Sequence, residues 1–173
     1  MDANYPLEYW KEFDGPFPQM MFCDNAMGLF SAAVKIRTKG YYGHFCWLVG
    51  RDEIASQSWW FQRQKLEHYR GCYVKFVHNP SWSESERRIL LASIWRDLAM
   101  SPWKTRYDVI GVVGELFGIT WMNRRGLDFC SERGKYLKRI DPAYNLKHPS
   151  PTELNDWTKQ SGRYEVSGRY APG

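Results

Sequence analysis

At 173 residues, 43% hydrophobic and 25% charged, the chain has the size and composition of one ordinary globular domain, which excludes a disordered or fibrous protein. A net charge of +5 and a pI near 9.0 favour anionic partners (nucleic acid, cell-wall polymer, acidic lipid or acidic protein) without choosing among them. No run approaches the roughly 20 apolar residues of a membrane span. Met1-Asp2-Ala3-Asn4-Tyr5 also lacks the basic-then-apolar pattern of a signal peptide, so synthesis and folding in a reducing cytoplasm are expected.

Residues 1–18 are rich in Pro, Gly and aromatics and read as an irregular arm. Gln19 to Cys23 suits a short strand. Asp24 or Asn25 can cap a helix reaching about Thr38, with Met27, Phe30, Ala33 and Val34 at helical spacing, closed by Lys39-Gly40. His44 to Val49 reads as a buried strand. Gly50-Arg51-Asp52 turns the chain, and Glu53 to Trp60 completes a hairpin. Leu66 to Tyr69 fits a helical turn, and Cys72 to Val77 a third strand. Ser83 and Glu86 have capping-box spacing. They open a helix with Leu91, Ile94, Trp95 and Leu98 along one stripe, ended before Pro102. Tyr107 to Phe117 is apolar, a helix or a buried segment, and a loop with Arg124 and Arg125 follows. A helix from Ser131 to Ile140 comes next. Residues 141–173 are polar and rich in Pro and Gly, with one further helix start at Ser150-Pro151.

The four cysteines stand at 23, 46, 72 and 130 without CxxC spacing, which argues against a zinc site; no cofactor is expected. Cys23, Cys46 and Cys72 lie in apolar strands and read as core. Cys130 differs because it immediately precedes a helix. A thiol there sits in the positive end of the peptide dipoles, which favours the nucleophilic thiolate. His44 is the matching base, and a cysteine with a distant histidine is the minimum kit of a cysteine hydrolase. The backbone N–H of Cys130 can donate to an oxyanion, and Tyr107 can support it.

Three motifs occur in a telling order. Thr38-Lys39-Gly40-Tyr41-Tyr42-Gly43-His44 runs into Phe45-Cys46-Trp47-Leu48-Val49. Tyr107-Asp108 follows, and then Phe129-Cys130-Ser131-Glu132. In this order the chain resembles the circularly permuted branch of the NlpC-type papain-like superfamily, which includes YiiX- and YaeF-like proteins and, more distantly, lecithin retinol acyltransferase. The likeness spans about residues 18–157.

The resemblance implies an α+β fold with a small antiparallel sheet packed against helices. It divides the chain into an arm (1–18), a permuted papain-like domain (19–157) and a tail (158–173). It further implies a polar third residue orienting the histidine from the following strand. The branch often has Glu or His there; this strand offers Ser56, Gln57 and Ser58, and Gln57 is assigned the role. The implied activity is amide or peptide hydrolysis, with bacterial cell-wall peptide as substrate. Without a signal peptide, such an enzyme would be delivered by another route, such as a phage tail tip. A lipid acyltransferase or thioesterase of the same fold, and a non-catalytic structural module, are the alternatives. A nucleic-acid binder finds no recognised motif.

Overall fold

The computed structural model describes residues 16–24, 32, 35–36, 39–106, 130–159 and 164–170. One antiparallel sheet organises them. Its strands are β1 (Gln19–Cys23), β2 (His44–Gly50), β3 (Glu53–Gln57), β4 (Phe61–Lys65), β5 (Tyr73–His78) and β6 (Tyr164–Arg169), in the order β4-β3-β2-β1-β5-β6. β1 and β2 are central and apolar on both faces, as strands covered on both sides must be. Among the described residues the helices are α1 (Glu84–Leu98), α2 (Pro151–Lys159), short 3₁₀ turns at Leu66–Tyr69 (as expected) and Pro102–Lys104, and a ten-residue 3₁₀ segment, Cys130–Arg139.

Alternation along the strands divides the core in two. Phe45, Trp47 and Val49 of β2 pack on one face with Leu90 and Ile94 of α1, Tyr136 and Leu137 of the 3₁₀ segment, and Leu154 and Trp157 of α2. Cys46 and Leu48 point to the other face, where Met21, Ile54, Leu66, Tyr69 and Phe76 gather. Burying one such large side chain contributes about 1.5–3 kcal/mol relative to exposure.

Several expectations shift in register. Phe61–Lys65, which carries four polar residues in succession, is a strand absent from the sequence reading; β3 ends at Gln57 and a second hairpin returns as β4. The capping box at Ser83 and Glu86 forms as expected. The buried stripe of α1, however, runs through Arg87, Leu90, Ile94 and Asp97, and Trp95 is left partly exposed beneath the Arg63 guanidinium. An ion pair between Asp97 and Arg133 turns the helix this way. Ser150 and Glu153 form a second reciprocal cap at α2.

The stretch read as a tail supplies β6, which pairs with β5 along its whole length. Of the expected 24–38 helix, Ala32, Lys35 and Ile36 are helical, and Lys39 closes it with a left-handed φ of 49°. Asp24 is non-helical and its carboxylate accepts from the Tyr73 N–H; residues 25–31, 33–34 and 37–38, Tyr107 to Phe117 and the Arg124-Arg125 loop lie outside the described residues. Gly40 has a different constraint: a Cβ there would lie 1.6 Å from Thr152 Oγ1. Only glycine lets the approach to β2 pass the first turn of α2.

Candidate active site

β2 begins at His44, opposite Cys23 of β1, and the ring is fully buried. Its Nε2 lies 2.9 Å from Ser56 Oγ. Ser56 Oγ is 3.0 Å from the Tyr69 hydroxyl, which in turn hydrogen-bonds the Cys46 thiol. A buried relay therefore runs from the imidazole through Ser56 and Tyr69 to Cys46, with the Tyr69 ring stacked 6.1 Å from the imidazole. His44 Nδ1 has no hydrogen-bond partner. The relay assigns the ring proton to Nε2, donating to Ser56, because the other tautomer would bury an unpaired N–H on Nδ1. An available lone pair on Nδ1 is the state a general base needs.

Burial pushes the His44 pKa down to about 4, and His68 nearby pushes in the same direction, so the ring is neutral at pH 7. Burial raises the Cys46 and Tyr69 acidities' pKa values well above their ordinary ranges, which keeps the relay uncharged throughout.

Cys130 is the first residue of the 3₁₀ segment, and that segment crosses β2: Trp47 Nε1 donates to the Arg133 carbonyl at 3.0 Å. The expected α-helix from Ser131 to Ile140 is thus a tighter 3₁₀ segment that starts one residue earlier and includes Cys130. Cys130 is buried, and its thiol lies near enough to Cys46 to help disfavour ionisation there. Cys46 is two residues from His44 and on the same strand face. Cys130 thus lies near Cys46, but the segment it opens packs through Tyr136 and Leu137 against the Trp47 face of β2, opposite the face that carries Cys46 and His44.

Gln57 does not orient His44. It points to the opposite face, where its Nε2 donates to the Thr105 carbonyl at 2.6 Å and its Oε1 accepts from Arg133 Nε at 2.9 Å. Ser56 takes the orienting position instead. The reason is a bulge. At the turn Gly50 pairs with Glu53, and that register carried outward would set Gln57 opposite Cys46. A shift between Leu48 and Gly50 sets Ser56 there. A one-residue slip exchanges the faces. Tyr107 lies outside the described residues.

No family model matches the sequence, and no curated protein matches it.

The 3₁₀ segment is held by an ionic cluster behind the site. Arg133 Nη1 donates to Asp97 Oδ2 at 2.9 Å and to the Tyr136 hydroxyl at 3.1 Å, and Tyr136 donates to the same Asp97 oxygen at 2.8 Å. The guanidinium carbon lies 4.3 Å over the Phe61 ring. Each charge in the cluster is paired and hydrogen-bonded, as burial requires. Glu132 is buried beside Cys130 and pairs with His148, while Ser131 Oγ donates to the Pro149 carbonyl. The three residues after Cys130 are therefore all anchored.

Proposed function

We propose that this protein is a cysteine hydrolase of the amidase or peptidase type, with Cys130 as nucleophile, His44 as base and Ser56 as the residue that orients the base. The observation carrying this reading is the state of His44: Nε2 is engaged by Ser56, and Nδ1 is unpartnered on the strand face shared with Cys46. His44 Nδ1 takes the thiol proton as Cys130 Sγ attacks a carbonyl carbon. The imidazolium then returns the proton to the departing amine, and water releases the acyl group by the same path in reverse. The Cys130 N–H faces the developing oxyanion. His44 starts neutral, because burial holds its pKa near 4.

The net charge of +5 suits an anionic bacterial envelope, and the proposed substrate is cell-wall peptide, with delivery in a phage tail tip. Purified walls incubated with the unmutated chain and with Cys130→Ala test this. Soluble peptide released equally by both eliminates Cys130 as nucleophile.

A second reading is a non-catalytic module of a larger assembly. The burial of Cys130 (3% exposed) and of His44 (0%) favours it, since an acyl substrate must reach both. Alkylation at neutral pH separates the two readings. Cys130 reacting faster than an unstructured cysteine supports the enzyme, and Cys130 reacting only on unfolding supports the module.

A further inference from the structure

Across the β1–β2 ladder from His44, one end of the β1–β5 pair gathers three metal-ligating side chains. The Cys23 and Cys72 thiols and a carboxylate oxygen of Asp24 all lie within 4.8 Å of one another. Neither cysteine is in a disulfide. Cys23 is buried, whereas Asp24 and Cys72 are partly exposed, so an ion can reach the group from solvent. Asp24 is fixed from both sides. Its N–H donates to the Tyr73 carbonyl at 3.1 Å, and its Oδ1 accepts from the Tyr73 N–H at 2.9 Å. A carboxylate oriented in this way by a second hydrogen bond is the usual support of a metal ligand.

We propose that Cys23, Asp24 and Cys72 bind one zinc ion, with water as the fourth ligand. Zinc–sulfur bonds of about 2.3 Å in a tetrahedron separate two sulfurs by about 3.8 Å. Donors already within 4.8 Å need only rotamer adjustment at a half-exposed strand end. Two sulfurs disfavour calcium and magnesium, which take oxygen donors. A thiolate pair with one carboxylate suits a borderline ion. Binding releases the two thiol protons to solvent. CxxC spacing, the absence of which argues against zinc in the sequence, is not needed, because strand pairing supplies the proximity. The site uses none of the residues of the hydrolase reading, although Cys23 pairs across from His44, and it survives that reading's failure.

The test uses the full reduced chain and cobalt(II) as a spectroscopic probe, displaced by zinc. The expected result is one cobalt per chain with a thiolate-to-cobalt charge-transfer band. Cys72→Ser weakens that band, leaving Cys23 as the one thiolate ligand. Asp24→Asn keeps the band and weakens binding on the order of tenfold or more. Cys130→Ala changes neither. In the unmutated chain, zinc slows alkylation of Cys23 and Cys72 in peptide mass spectra, a readout that requires no variant to fold. Cobalt uptake without the band, a band indifferent to Cys72→Ser, or alkylation of both cysteines at the same rate with and without zinc overturns the proposal.

Discussion

Acid should destabilise this protein through His44. In the unfolded chain the ring has its ordinary pKa of 6.5, and in the fold about 4. The folded value is the lower one, so between these limits the unfolded state binds the extra proton. Stability is therefore fully present above about 6.5, falls as the pH drops, and ceases to change from this cause below about 4. At about 1.4 kcal/mol per pH unit the interval amounts to roughly 3 kcal/mol, a large share of a typical domain's stability. The cause is desolvation of a fully buried ring, and the neighbouring His68 adds to it. Urea unfolding at several pH values between 7 and 4 measures the effect, and His44→Gln supplies the comparison. Gln can pair with Ser56 but does not titrate. His78, whose pKa is also lowered by burial, contributes equally to both chains and cancels. The expected result is a steep loss in the unmutated chain and a loss about 3 kcal/mol smaller in the variant, whatever the variant's stability at pH 7. Parallel pH profiles for the two chains would refute the reasoning.

Ser56→Ala removes the partner of His44 Nε2 and should cost about 1–3 kcal/mol in urea unfolding. If the hydrolase reading holds, it should also lower kcat more than it raises KM. Arg133→Ala leaves the buried Asp97 carboxylate with only the half-exposed Arg96 guanidinium and the Tyr136 hydroxyl, and should cost about 1–3 kcal/mol, read as a lowered urea midpoint. A merely surface-like loss below about 1 kcal/mol would show that water reaches Asp97. Gly40→Ala places a methyl group on Thr152 Oγ1 and should destabilise by about 1–3 kcal/mol. Gly40→Ala combined with Thr152→Ser keeps Oγ1 in place and should recover little, whereas Gly40→Ala with Thr152→Gly should recover most of it.

Much of the fold was legible because strong local signals agreed with the tertiary structure. The alternating and apolar strands β1, β2 and β5 and the reciprocal caps at Ser83 and Ser150 are cases where pattern and packing ask for the same residues. β4 was hidden because its sequence, Phe-Gln-Arg-Gln-Lys, buries only one residue well. β6 was hidden because it pairs with β5 from more than 85 positions away, a long-range contact without local signature. The tilt of α1 depends on Asp97 meeting a residue 36 positions away. In the site, His44 and Cys130 stood out by residue type. Ser56 did not, because which of two adjacent polar residues faces the histidine is decided by a single bulge.

Ser56 and Gln57 are consecutive, yet they serve opposite sides of the sheet. One holds the imidazole, and the other holds the guanidinium three residues beyond Cys130. β3 is thus a rigid crossbar between the two halves of the proposed chemistry, only one peptide unit wide. Displacing either end must drag the other, so a ligand pressing on the Arg133 side would be felt at the imidazole through the backbone alone.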